Sequence, residues 1–310
     1  MEWPARGTKH AFIMTKSVKI IGKTFWILIM TTISILFAYP FIYGLMGSLI
    51  SKEEFGQMGS LVPLPKTDWT TIGYSIVFQM DGAIRPLLNS LMRTAWYTLV
   101  VTAISILLGY VLGRYEFKGK KFVIAFIIVT QVVPNVLTLI PSFVLVSRIP
   151  FAGGNNWMGV GGKGLINNPV MLFAPLRWDI LVWTFLFMQA MKSLPIAFEE
   201  AAEIDGCSFW RTIFQVIIPL QLPIIAVIAI NTALSTWNDW LTPFIYINNV
   251  QNTTLTAWLG TLTSSLQQFG DKDYPRVFAL ATISIIPPFV IFLSFQKYII
   301  QGIAAAGIKG

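Results

Sequence analysis

Apolar runs of about 20 residues, bounded by charged residues or by Pro/Gly clusters, recur along this chain. Six stand out, at 25–49, 90–112, 122–146, 170–191, 224–247 and 277–295, the fourth interrupted by Arg177 and Asp179. A helix rising 1.5 Å per residue needs ~20 mostly apolar residues to cross the hydrocarbon layer. The pattern therefore predicts an all-α integral membrane protein with six transmembrane helices. The first run follows Arg6, Lys9, Lys16, Lys19 and Lys23. It exceeds the ~7–15 apolar residues of a signal-peptide core, so an uncleaved first span is expected.

Polar residues inside the runs carry the next layer of information, because unpartnered polar groups facing lipid cost several kcal/mol by rough estimate. Asn231, Ser235, Asn238 and Thr242 recur at helical spacing and share one face, bordered by Asp239. Gln131, Asn135, Thr138 and Ser142 repeat the spacing in the third run. Both faces are expected to look into the helix bundle. Sugars offer hydroxyls around apolar ring faces, and Trp237 and Trp240 flank the amides of the fifth run. Gluing helices together, with the tryptophans at the membrane interface, is the alternative role of these groups. Asp239 within a span, and Arg93 and Arg177 near span ends, are functional candidates by their cost alone. Pro134 and Pro141 are expected to weaken the third helix.

Composition agrees with a bilayer protein. Of 310 residues, 55% are hydrophobic and 12% charged, against roughly 25% charged in soluble domains, and the mean hydropathy is +0.67. The net charge of +8 falls on loops rather than on a nucleic-acid surface, so nucleic acid is not an expected partner. Thirteen Lys and Arg lie on the side of the N-terminus and seven on the other, which orients both termini to the cytoplasm. The domain reading is a cytoplasmic tail at 1–24, a transmembrane domain at 25–297 and a second cytoplasmic tail at 298–310. One cysteine, Cys207, and one histidine, His10, exclude an intramolecular disulfide and a Cys/His metal cluster. The same scarcity leaves no nucleophile, histidine and acid set, and no catalytic residue is assigned. Gly162-Lys163 is followed by Gly164 where a phosphate-binding loop needs Ser or Thr, so ATP hydrolysis is not expected in this chain.

One inner segment, 192–222, is too long and too acidic for a plain connection. Pro195 suits a helix start, residues 199–203 read Glu-Glu-Ala-Ala-Glu, and Gly206 suits a stop. Glu199 and Glu203 share a face, and Ala201 and Ala202 leave little bulk, as in a short helix made to enter a groove on another protein. A solvated interfacial loop is the equally weighted alternative on these residues alone.

Glu200-Ala201-Ala202, then three residues, Gly206, nine residues and Val216-Ile217-Ile218-Pro219 resembles the EAA motif of binding-protein-dependent ABC importer permeases. Gln131-Val132-Val133-Pro134, Trp237-Asn238-Asp239-Trp240 and the ending Ala306-Gly307-Ile308-Lys309-Gly310 are similar to the carbohydrate-uptake branch, specifically the smaller permease of maltose-type transporters. The resemblance implies a multi-pass protein of a bacterial or archaeal cytoplasmic membrane, importing a mono- or oligosaccharide. Its implied partners are a second permease, two ATPase subunits that use MgATP, and an extracytoplasmic substrate-binding protein. It implies ATPase coupling through Glu199, Glu200, Ala201, Ala202, Asp205 and Gly206 on a coupling helix between the fourth and fifth spans. No cofactor is expected in this chain. The substrate pathway would involve Gln131, Asn135, Asn231, Ser235, Trp237, Asn238, Asp239 and Trp240. The outer segment 148–168 is longer and richer in glycine than the family leads one to expect. Two other readings stand: an importer of the same class with a non-sugar cargo, and a secondary transporter using Asp239 as a proton-coupling carboxylate.

Overall fold

The computed structural model describes residues 7–57, 63–65, 68–80, 82–174, 179–269 and 273–307, and no strand occurs among them. The helices are α1 (Gly7–Gly47), α2 (Lys52–Gln57), α3 (Ile72–Ser75), α4 (Ile84–Arg114), α5 (Lys120–Thr130), α6 (Asn135–Ser147), α7 (Asp179–Ser193), α8 (Ala197–Ile204), α9 (Phe209–Thr212), α10 (Ile218–Leu220), α11 (Leu222–Asn238), α12 (Leu241–Tyr246), α13 (Leu255–Phe269) and α14 (Tyr274–Gly307). Among the described residues, Gly22–Gly47, Ile84–Arg114 and Tyr274–Gln296 are long and apolar enough to cross a membrane, and up to six spans result if each bent helix pair is one span.

The chain divides into two compact units. One takes residues up to 74 together with 272–282. Here Tyr43 and Phe278 meet edge to face at 5.9 Å and Phe55 lies 5.6 Å from Phe278, while Ser48 and Tyr74 share a hydroxyl hydrogen bond of 2.8 Å. The span-length stretch of α1 buries none of its apolar side chains within the chain. In water such a face would be untenable, but lipid or a neighbouring apolar helix solvates it at no such cost.

The other unit is organised around α4, which packs against α7 and α11. Its core joins Ile106 and Tyr110 of α4 to Phe187 and Met191 of α7, Ile213 and Ile217, and Ile228 of α11. Small residues make the α4–α7 approach possible. A Cβ built on Gly109 would lie 2.9 Å from the Phe187 Cβ and the Thr184 carbonyl oxygen, and one on Gly113 would lie 2.7 Å from the Met191 Cβ. Four residues apart, these glycines form a small-xxx-small stripe of the kind that lets membrane helices touch backbone to backbone. Gly109→Leu is expected to force α4 and α7 apart and to lower stability by about 1–3 kcal/mol. Thermal unfolding of the detergent-solubilised protein measures it, and an unchanged midpoint would show that the interface yields freely.

The glycine-rich segment 148–168 is a folded loop organised by one buried side chain. Asn155 donates to the carbonyl oxygens of Ser147 and Ile149 and accepts from the Gly162 amide. Gly153, Gly154, Gly159, Gly161 and Gly164 all take positive φ. A Cβ on Gly153 or Gly159 would sit 2.0 Å from a backbone oxygen, so glycine is required there for space as well as conformation.

Three expectations change. The third run is not one helix: α5 and α6 meet at a 105° bend, where Pro134 is extended (ψ 131) ahead of Asn135. Gln131 therefore ends one helix while Thr138 and Ser142 lie on the next, and the expected continuous face does not exist. Proline supplies no amide donor to a helix running through it, which favours a break at Pro134, whereas Pro141 is accommodated inside α6. In the fourth run, residues 169–172 form a single 3-10 turn, capped by Asn168 and separate from α7 (Asp179–Ser193); Arg177 lies outside the described residues. The fifth run breaks after Asn238, so Thr242 belongs to α12 and leaves the face of Asn231, Ser235 and Asn238. A further difference lies at the start of the chain, where α1 runs unbroken from Gly7 across the expected tail boundary at 24.

Candidate functional site

Two places gather the residues singled out by the sequence. The first is the segment after α7. Three residues beyond α7 the chain turns by 78° into α8, whose end is closed by backbone geometry. The Gly206 amide donates to Glu203 and the Cys207 amide to Ala202, at 3.0 and 2.9 Å, with Gly206 at φ +75. This is a Schellman-type stop, which needs a left-handed residue at that position. Ala202 packs inward at 5% exposure. Glu200, Ala201, Glu203, Asp205 and Gly206 are exposed, and so are Ile196 and Ile204, the latter 87% exposed. The segment thus presents an acidic and apolar face with small residues at its centre. Its downstream half is anchored in the protein, since Ile213 and Ile217 join the core of α4, α7 and α11.

Glu199 behaves differently from its neighbours. It is turned back on the chain, where its Oε1 pairs with Arg114 Nε at 2.5 Å and its Oε2 accepts from the Tyr110 hydroxyl at 3.0 Å. Arg114 Nη2 also donates to the Leu194 carbonyl oxygen at 3.0 Å. With side chains only 10% and 14% exposed, this pair is desolvated. Removing one partner of such a pair costs about 3–5 kcal/mol, because the other charge is left uncompensated.

The second place is the joint between α11 and α12. Asn231, Ser235 and Asn238 are exposed along one face of α11. Trp237 is not on that face. It is 2% exposed and its indole nitrogen donates to the Ser284 carbonyl oxygen of α14 at 2.9 Å. One residue from Asn238 is about 100° around a helix, so a Trp adjoining the polar face in sequence points away from it. It forms part of the wall of an apolar groove of about 650 Å³ lined also by Thr94, Thr98, Thr102, Ala233 and Pro287. Trp240 is 46% exposed and lies beside Phe244 at 5.7 Å. Gln131 is exposed, with its amide donating to the Ile127 carbonyl oxygen; the side chain of Asn135 lies outside the described residues.

Asp239 caps the joint. Its Oδ1 accepts from the Thr242 amide at 3.2 Å and its Oδ2 pairs with Arg93 Nη2 at 2.6 Å. The Arg93 guanidinium stands 5.3 Å from the centre of the Tyr97 ring and is 2% exposed against 22% for Asp239. Two residues weighed singly in the sequence are thus one neutralised pair. Nothing in local spacing announced this, as they are 146 positions apart. The Gly109/Gly113 stripe, by contrast, was visible as two glycines four apart in an apolar run.

Comparison with known proteins places this geometry. Over 280 residues the chain is 27% identical to the arabinooligosaccharides transport system permease protein AraQ of Bacillus subtilis, covering 90% of this chain and 92% of that protein. Its fold matches a chain of a bacterial ABC transporter involved in the import of the acidic polysaccharide alginate, with a TM-score of 0.69 and 22% identity over 96% of this chain and 99% of that one. A second match is a chain of a bacterial alginate ABC transporter in complex with alginate pentasaccharide-bound periplasmic protein, with a TM-score of 0.62 and 17% identity over 90% and 95% of the two chains. The model of the binding-protein-dependent transport system inner membrane component family matches residues 105–305, which hold α8, its Schellman stop and the α11–α12 joint, and the chain belongs to that family.

Proposed function

We propose that this chain is one transmembrane half of an ATP-driven importer that moves a mono- or oligosaccharide into the cell. Family membership makes it a multi-pass component of the cytoplasmic membrane. A sugar cargo follows from the relatives, one named for arabinooligosaccharide transport and one for alginate import. The six spans are α1, α4, α5 with α6, α7, α11 with α12, and α14, with α8 as the coupling helix between the fourth and fifth and both termini in the cytoplasm. The partners are a second permease, an ATPase pair that uses MgATP, and a binding protein that delivers the sugar from outside, as the periplasmic protein of the alginate complex suggests.

The observation that carries this reading is the exposed face of the α8 segment. Glu200, Glu203, Asp205 and Ile204 all project from a short helix with a rigid stop. Exposed isoleucines beside an acidic cluster suit a face that another subunit covers. In the pathway, Asn231, Ser235 and Asn238 offer hydrogen bonds to sugar hydroxyls and Trp240 offers a ring face. The proton-coupled alternative is disfavoured because Asp239 already neutralises buried Arg93; protonating it would strand that charge.

The deciding experiment is purification of the tagged chain from its native membrane in mild detergent, followed by reconstitution. Co-purification of an ATPase and a second permease, with oligosaccharide uptake that stops when ATP is withheld, is the expected result. Recovery of the chain alone, accumulating solute on a proton gradient without ATP, would overturn the reading.

A further inference from the structure

Resting on the importer reading, we infer that α4 is the rod that carries motion from the coupling helix to the pathway, with Arg114 and Arg93 as its two end joints. At one end Arg114 and Tyr110, four residues apart and so on one face of α4, both hold Glu199 of α8, and Arg114 also holds the Leu194 carbonyl just before that helix. The turn into α8 is therefore gripped on both sides. At the other end Arg93 holds Asp239, which caps the α11–α12 joint beside exposed Asn238. Arg93 and Arg114 are 21 residues apart in one α-helix, or roughly 32 Å at 1.5 Å per residue. No proline interrupts that stretch.

The assignment divides the acids of the coupling segment by role. Glu200, Glu203 and Asp205 face outward and are available to the ATPase, whereas Glu199 is a positioning residue that makes α8 move with α4. A coupling element of this kind must be shown by its effect on both ends, not by spatial intermediacy.

The test uses the reconstituted complex with Cys207→Ser and Asn238→Cys, reading how MgATP changes the rate at which a charged maleimide labels position 238. With the clasp intact, MgATP changes that rate. In Glu199→Ala or Arg114→Ala the MgATP-dependent change is expected to shrink by about tenfold while the ATPase still hydrolyses ATP. The swap Glu199→Arg with Arg114→Glu restores part of it, since a glutamate at 114 cannot donate to the Leu194 carbonyl oxygen, and Arg114→Lys restores part as well. Single variants that respond as fully as the parent would overturn the rod and leave the importer reading intact. A parent complex that lacks an ATPase or ignores MgATP would overturn both. Should the single variants fail to assemble, spin labels at exposed Phe198 of α8 and exposed Leu108 of α4 in the unaltered clasp decide. A separation constant to within about 2 Å between nucleotide-free and MgATP states supports the rod, and a larger change overturns it.

Discussion

Arg93→Ala is expected to destabilise the protein by about 3–5 kcal/mol, the cost of stranding one charge of a buried pair. Asp239 retains 22% side-chain exposure, so water relieves part of the penalty and the lower end of that range applies. The loss of the guanidinium over Tyr97 adds about 0.5–2 kcal/mol. Arg93→Met combined with Asp239→Asn should recover much of the loss, because neither charge then remains and Asn still offers an oxygen to the Thr242 amide. Near-ultraviolet circular dichroism of the detergent-solubilised protein during heating follows the series. A double variant as unstable as Arg93→Ala would mean that shape, not charge, holds the joint.

Gly206→Asp is expected to leave the protein inserted but to reduce ATP-driven uptake by at least about tenfold, a loss equivalent to ~1.4 kcal/mol of coupling. The local argument separates the two effects. A residue with a Cβ held at φ +75 costs roughly 1–2 kcal/mol, and Asp and Asn tolerate it best, so folding survives. A Cβ at this position meets no atom of the chain within 4 Å. The new carboxylate therefore projects outward beside Glu203 and Asp205, into the face proposed for the ATPase. Gly206→Asn has the same shape without the charge. If it transports well while Gly206→Asp does not, repulsion at the docked face is responsible; if both fail, close approach of the partner is. Substrate-driven uptake by Gly206→Asp at the parent rate in proteoliposomes would remove the coupling role from this turn.

Between them these variants probe the Arg93–Asp239 joint and the stop of α8, and their effects should separate by kind. Arg93 acts first on stability, because its partner is buried with it. Gly206 acts first on coupling, because its surroundings within the chain are empty.

What the amino-acid sequence determined by itself is the class of molecule and the place of the short acidic helix α8. Bilayer thickness converts directly into run length, so apolar stretches are readable in one dimension. The Glu-Ala-Ala, Gly and Pro spacing of 200–219 is local as well, and the helix ending at Gly206 lies where propensity places it, since a stop of that type depends only on neighbouring residues. That Asn231, Ser235 and Asn238 share one face follows from helical period alone.

Tertiary structure decided which charges meet and which side chains leave the path. Arg93 finds Asp239 across 146 positions and Arg114 finds Glu199 across 85, separations at which no periodicity speaks. Trp237 reads as a pathway ring by its neighbours in sequence, yet its indole hydrogen bond to the Ser284 carbonyl oxygen claims it for the interior. The third and fifth runs are continuous in hydropathy but broken as helices at Pro134 and at Asp239. Hydropathy measures how well a segment dissolves in lipid, whereas continuity depends on where each backbone amide finds its acceptor, and at these two points proline and a charged cap supply a different answer.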